Sequence, residues 1–71
     1  MLTIRVRLRD VLHSKQISQR QLAELTGFRP ATINSLCRDN VSRIYLHTLA
    51  TICNVLQVEI GEVLVIEQSN G

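Results

Sequence analysis

The spacing of apolar residues along the chain predicts one strand followed by helices. Residues 2–7 alternate apolar and polar side chains with a period of two, which is typical of a half-buried strand. From Leu8 the apolar residues recur three and four positions apart, which predicts a first helix ending near Lys15. Later segments predict four more helices, the last a single turn, over about residues 19–26, 30–38, 46–56 and 60–64.

The apolar segment 64–66 is short and partly β-branched, so it predicts a second strand. We expect it to pair with residues 2–6 in a two-stranded ribbon. An isolated ribbon is only marginally stable, so this one must pack on the helices or on a second subunit. We expect residues 68–71 to be frayed. The pattern thus predicts a single domain over residues 1–71, all-α with five helices, to which a short ribbon of the terminal segments is added.

Residues 18–38 contain the local signals of a helix, a tight turn and a second helix. Ser18 and Gln21 have the spacing of a capping box, in which each side chain accepts a hydrogen bond from a backbone N–H at the helix start. Gly27 can adopt the positive φ that a sharp helix end requires. Pro30 suits the first position of a new helix, where a missing N–H costs nothing. The sequence therefore predicts a helix-turn-helix unit over about residues 18–38.

The second helix of this unit is predicted to have one apolar and one polar face. Ile33 and Leu36 would be buried, and the outward positions would be Ala31, Thr32, Asn34 and Ser35. A short polar helix presented in this way can enter the major groove of DNA. The Asn34 amide can form two hydrogen bonds with adenine, and the methyl groups of Thr32 and Ala31 can contact a thymine methyl. The alternative for each is an ordinary exposed residue.

Composition supports one small aliphatic core. The 71 residues are 45% apolar, but they include one Phe, one Tyr and no Trp. A chain of this size buries only about 60% of the surface that its unfolded form exposes. No apolar run approaches the roughly 20 residues needed to span a bilayer, and no signal peptide is evident. We therefore expect no membrane association and a cytoplasmic location, on the nucleoid when the protein is bound to DNA.

Charge is distributed unevenly. Residues 1–43 hold all eight Lys and Arg residues against three acidic residues, whereas residues 44–71 hold three Glu and neither Lys nor Arg. The basic part includes the helix-turn-helix unit, which suits a polyanionic partner. The alternative is a solvated basic surface with no partner.

Few residues suggest other chemistry. Cys37 and Cys53 form no Cys-x-x-Cys pair, and with two scattered histidines they do not make a metal site. We expect them to be reduced thiols packed as small apolar groups. The sequence shows no nucleophile with an adjacent base and no phosphate-binding loop. We therefore expect no enzymatic activity, cofactor, metal or small-molecule ligand.

The chain resembles the lambda-repressor-like, Xre/Cro family of helix-turn-helix regulators over about residues 4–66. The residues that match are Ser18, Gln19, Leu22, Ala23, Thr26, Gly27, Thr32, Ile33, Leu36, Thr48, Leu49, Ile52, Cys53 and the segment 58–64. The resemblance implies a compact five-helix bundle whose third helix lies in the major groove. By position it implies DNA contacts from Ser18, Gln19, Arg29, Pro30, Ala31, Thr32, Asn34, Ser35, Arg38 and Arg43.

Three residues depart from the family pattern. Arg29 stands at a helix N-cap, where it cannot accept a hydrogen bond, so we expect it to contact DNA, with a solvated side chain as the alternative. Asp39 replaces a glycine, and Asp tolerates a positive φ better than most residues. Tyr45 replaces a capping side chain before helix four, and we expect its side chain to pack against the protein in place of forming a capping hydrogen bond.

These observations predict a sequence-specific regulator of transcription that binds double-stranded DNA and acts as a repressor. We expect a homodimer formed through helix five and the terminal apolar segments, with Val63, Val65 and Ile66 exposed. The alternative is a protein-binding module of the same fold, antitoxin-like or an anti-repressor partner, with weak or no DNA binding. The basic surface favours the first alternative, and the acidic, apolar C-terminal part gives some support to the second.

Overall fold

The computed structural model describes residues 1–68, which form five helices and a two-stranded antiparallel sheet. The elements in chain order are β1 (Leu2–Val6), α1 (Leu8–Lys15), α2 (Gln19–Thr26), α3 (Pro30–Leu36), α4 (Leu46–Leu56), α5 (Ile60–Val63) and β2 (Leu64–Gln68). The predicted helices and the ribbon are confirmed, and the fold is mixed rather than purely all-α. Gln68 belongs to β2 and is not frayed, and the rest of the predicted frayed tail lies outside the described residues.

The five helices surround one aliphatic core. Each helix contributes one large side chain that is fully buried: Leu8, Leu22, Ile33, Ile52 and Val63. The small side chain of Ala23 is also buried, and α2 contacts both α3 and α4. No polar or charged side chain is buried within residues 1–68, so burial of apolar surface is the main stabilising contribution there.

The helix-turn-helix unit begins with the predicted capping box. Ser18 Oγ accepts a hydrogen bond from the Gln21 backbone N–H at 3.0 Å, and Gln21 Oε1 accepts one from the Ser18 N–H at 2.8 Å. Helix α2 ends at Thr26 and is followed by the C-cap residue Gly27, whose φ of 77° lies in the left-handed region. Pro30 opens α3, as predicted. These local signals fix the boundaries of α2 and the start of α3.

The ribbon is only partly covered by the helices. Its antiparallel register pairs Ile4 with Ile66 and Val6 with Leu64, so these four side chains share one face. Val6 and Leu64, at the inner end, pack against the core. Ile4 and Ile66, further out, are 66% and 69% exposed. The outer half of an apolar sheet face is therefore left open.

Several predictions about single residues are wrong. Helix α3 ends at Leu36, two residues earlier than predicted, so Arg38 lies in the following turn. Tyr45 is the N-cap residue of α4 but is 75% exposed, so it loses the cap without gaining packing. Asp39 does not use a positive φ, because Gln16 and Gln57 are the non-glycine residues that do so in the described part of the chain.

The predicted exposure of Val63 is also wrong. Val63 is only 1% exposed, because the single turn of α5 points it into the core. Glu62 caps the start of this turn, because its Oε2 accepts a hydrogen bond from the Glu59 N–H at 2.8 Å. The longest helix between residues 1 and 68 is α4 with 11 residues, too short to cross a bilayer.

Candidate nucleic-acid interface

Helix α3 presents a polar face to solvent, as the sequence predicts. Ile33 and Leu36 are buried against the core. The exposed residues of the helix and its start are Arg29, Pro30, Ala31, Thr32, Asn34 and Ser35. The helix is only seven residues long, and its position depends on its contacts with α2.

The turn between α2 and α3 is organised by a threonine whose role the sequence did not reveal. Thr26 Oγ1 donates a hydrogen bond to the Leu22 carbonyl at 2.8 Å and accepts one from the Phe28 N–H at 3.2 Å. The same hydroxyl therefore joins the end of α2 to the residue that follows Gly27. Phe28 is half-buried and packs against the core, so the turn is held on both sides of Gly27.

Arg29 lies at the start of α3 with an exposed side chain. It is an N-cap residue in an extended conformation and forms no side-chain cap. Its carbonyl accepts the Thr32 N–H at 3.0 Å and the Ile33 N–H at 3.3 Å, so its backbone starts the helix. Within residues 1–68 its guanidinium forms no ion pair, which leaves a full positive charge at the tip of the exposed face.

A hydrogen bond connects the N-terminus of α2 to the exposed face of α3. The Asn34 Nδ2 amide donates to Gln19 Oε1 at 3.2 Å. Gln19 is half-buried and lies beside the α3 face, and the preceding residue, Ser18, is exposed. The Ser35 hydroxyl donates to the Ala31 carbonyl at 2.9 Å within the helix. Asn34 and Gln19 are 15 residues apart, and no sequence spacing indicated their contact.

The two predicted arginines after α3 share a groove with it. Arg38 and Arg43 are exposed, and a shallow groove of about 270 Å³ is lined by both together with Ser35 and Leu36. The groove therefore joins the end of the α3 face to the loop of residues 37–45. A chain of adjoining predicted residues runs from Gln19 through Asn34 and Ser35 to these arginines.

The negative charge of Asp39 near this groove is compensated. Arg9 of α1 forms an ion pair with Asp39 at 2.9 Å. Arg20 pairs with Glu24 at 3.6 Å, and both of these pairs are solvent-exposed. Among the cations of residues 15–43, those without an acidic partner in the described structure are Lys15, Arg29, Arg38 and Arg43. Three of these four adjoin α3, so the surface around this helix has an excess of positive charge.

The thiols have no geometry that suits a metal site. Burial raises the pKa of Cys37, and Arg9 opposes this effect in part. Burial also raises the pKa of Cys53, with a smaller contribution from the negative charge of Glu62. Residues 1–68 contain no group of three or more His, Cys, Asp or Glu side chains that could hold a metal ion. The cysteines are therefore neutral apolar groups of the fold at neutral pH.

Comparisons with known proteins agree with the helix-turn-helix fold. The sequence profile of the Cro/C1-type HTH DNA-binding domain matches residues 7–69. The fold is similar to the crystal structure of a proposed DNA-binding protein from Bacteroides fragilis, with a TM-score of 0.77 and 28% sequence identity. The alignment covers 89% of this chain and 100% of the other. A search of curated proteins gave no match.

Proposed function

Because the chain belongs to the Cro/C1-type helix-turn-helix DNA-binding family, we propose that it is a sequence-specific transcriptional regulator that inserts α3 into the major groove of double-stranded DNA. The observation that supports this most is the exposed polar face of α3. Gln19 borders it on one side, and the arginines at its two ends have no acidic partner within residues 1–68. Repression is the simplest outcome, because a protein bound over a promoter excludes the polymerase from that DNA.

In this proposal the α3 face distinguishes bases. Asn34 forms two hydrogen bonds with the major-groove edge of adenine, a contact that is typically worth about 1–3 kcal/mol of discrimination. Thr32 and Ala31 contribute methyl groups that contact thymine. The hydroxyl of Ser35 donates within the helix, so it adds little specificity. Arg29 contacts guanine or a phosphate at the tip of the helix.

The remaining predicted residues bind the DNA backbone. The N–H groups of Gln19 and Arg20, in the first turn of α2, have no acceptor within the helix and face a phosphate. The Ser18 hydroxyl and the Gln19 amide add donors at the same point. Arg38 and Arg43 bind phosphates on the other side of α3, and their shared groove with Ser35 keeps them next to the base-contacting face.

We also propose a homodimer formed through the ribbon and α5. A single module buries only about 600–1,000 Å² on DNA, and two modules on half-sites about 34–36 Å apart bind more tightly. Ile4, Ile60 and Ile66 are all more than half exposed, and they line one apolar groove of about 260 Å³ with Gly61. A two-fold dimer would cover this face with the same face of a second copy.

Salt dependence tests the DNA-binding proposal. The affinity of the purified protein for a labelled duplex, measured by fluorescence anisotropy, should fall steeply with salt, with a slope close to the number of phosphates contacted. Asn34→Ala should reduce the preference at one base pair, whereas Arg43→Ala should weaken binding to all sequences alike. A slope near zero would reject the proposal in favour of a protein-binding module of the same fold, for which the exposed apolar ribbon would be the binding surface.

Sedimentation tests the dimer. The wild-type protein should sediment as a dimer at high micromolar concentration or on DNA, and Ile66→Ser should shift it to a monomer. Leu25→Ser is the matched control, because Leu25 is 59% exposed on α2 and lies outside the ribbon. A monomeric wild type with and without DNA, or a dimer insensitive to Ile66→Ser, would contradict this part of the proposal.

A further inference from the structure

We propose that Asp39 is a positioning residue for DNA binding: its ion pair with Arg9 holds the loop of residues 37–45 against α1. This inference rests on the proposed function, in which Arg38 and Arg43 of this loop bind phosphates. It adds that a carboxylate beside them strengthens DNA binding, although its own charge repels DNA. The starting observation is the 2.9 Å contact from Arg9 Nη2 to Asp39 Oδ1.

The ion pair connects the loop to a helix that is distant in the sequence. Arg9 lies in the first turn of α1, 30 residues before Asp39. Among the side-chain hydrogen bonds of residues 1–68, the bond from Arg9 is the one that reaches this loop. Val41 and Ile44, in the second half of the loop, pack against the core. The first half, next to the end of α3, is thus the part that the ion pair holds.

The carboxylate of Asp39 has no other evident role in the structure. It stands where related sequences carry glycine, but it does not use the positive φ that favours glycine. Its side chain is 82% exposed, so it contributes little packing. Its negative charge weakens the attraction of the surrounding surface for DNA. The ion pair with Arg9 accounts for the carboxylate, and a relative with glycine at this position cannot form that pair.

The ion pair can act on DNA binding by limiting the conformations of the loop. Residues 38–45 form no helix or strand, and such segments are generally mobile. Arg38 and Arg43 line one groove with Ser35 of α3. A loop that is already held near α1 loses less conformational entropy when its arginines meet phosphates, which strengthens binding. Exposed ion pairs are weak, so we expect an effect of about two- to fivefold on affinity.

The experiment compares Asp39→Asn with Glu24→Gln on a labelled duplex of the sequence that the wild type prefers. Each variant removes one negative charge from an exposed ion pair, but Glu24 pairs with Arg20 inside α2 and holds no loop. Asp39→Asn should raise the dissociation constant about two- to fivefold and lower the salt slope by about one phosphate. Glu24→Gln should bind as tightly as the wild type or more tightly, with an unchanged slope. Thermal unfolding of both variants should match the wild type.

A double variant separates the ion pair from its two charges. If the pair acts as a unit, Arg9→Gln and Asp39→Asn each weaken binding, and the double variant binds no more weakly than Arg9→Gln alone. If the charges act independently, Asp39→Asn strengthens binding and the double variant binds like the wild type, which would overturn the inference.

A loss of affinity in Asp39→Asn at an unchanged salt slope would overturn the inference as well, because no phosphate contact would have been lost. A wild-type protein whose affinity for DNA does not depend on salt would instead contradict the proposed function. The two failures are therefore distinguishable.

Discussion

Replacement of Gly27 by alanine should destabilise the fold through the backbone alone. Gly27 has a φ of +77°, and a Cβ added there would meet no atom within 4 Å. The added methyl group therefore creates no clash with the rest of the protein. The left-handed conformation costs a residue with a Cβ about 1–2 kcal/mol. For a domain of this size, 1 kcal/mol lowers Tm by about 4–8 °C, so we expect a decrease of about 4–16 °C.

Gly61→Ala is the matched control for this prediction. A methyl group added at Gly61 would also meet no atom within 4 Å, but Gly61 lies in α5 and does not have a positive φ. Alanine is favoured over glycine in a helix by about 0.5–1 kcal/mol, so this variant should be stabilised. The same chemical change should thus shift Tm in opposite directions at the two positions. Thermal unfolding followed by circular dichroism measures both.

Two results would refute this reasoning. An unchanged Tm for Gly27→Ala would mean that the turn does not require the left-handed conformation. Equal decreases for both variants would mean that the added methyl group, and not the backbone conformation, is responsible. Gly27→Asn should lie between Gly27→Ala and the wild type, because asparagine adopts positive φ more readily than most residues.

Three further predictions concern the cap, the core and the thiols. Ser18→Ala should lower the free energy of unfolding by about 1 kcal/mol in urea titrations, because it removes the side-chain cap of α2. An unchanged urea midpoint would count against the capping box. Ile33→Ala should lower the free energy of unfolding by about 2–5 kcal/mol, and the neighbouring Asn34→Ala by less than about 0.5 kcal/mol. Similar decreases for the two variants would mean that the buried and exposed faces of α3 are wrongly assigned. Burial raises the pKa of Cys37, so the folded state keeps this proton to higher pH than the unfolded chain. The contribution of Cys37 to the free energy of unfolding should therefore be constant below about pH 8.5 and fall as pH rises further. Urea titrations at several pH values measure this fall, and Cys37→Ala should reduce it.

Local signals predicted much of the fold because they act within a few residues. Ser18, Gly27 and Pro30 gave the boundaries of α2 and the start of α3 directly. The left-handed ends of α1 and α4 were not predictable, since Gln16 and Gln57 are not residue types that favour this conformation. The packing of the whole domain selects these ends.

Residues whose environment depends on distant parts of the chain were predicted least well. Val63 belongs to a four-residue helix, which is too short for periodicity to show which side is buried. Leu46 opens the predicted helix of residues 46–56, and it is 80% exposed because the first turn of α4 projects beyond the core.

The candidate site contains features set by local sequence signals and features set by contacts between distant parts of the chain. The exposed face of α3 follows from helical periodicity, and the structure confirms its exposed and buried positions. The ion pair of Arg9 with Asp39 and the hydrogen bond of Asn34 with Gln19 join residues 30 and 15 positions apart. Such contacts depend on how the helices cross, which the periodicity of one helix does not determine.

Binding-site selection tests the central claim most directly. The purified protein would be mixed with a random double-stranded DNA library, and the bound fraction sequenced over several rounds, with Asn34→Ala carried through in parallel. We expect the wild type to enrich one motif, and Asn34→Ala to enrich the same motif with the preference relaxed at a single base pair. Enrichment of no motif by the folded wild-type protein would contradict sequence-specific recognition by α3.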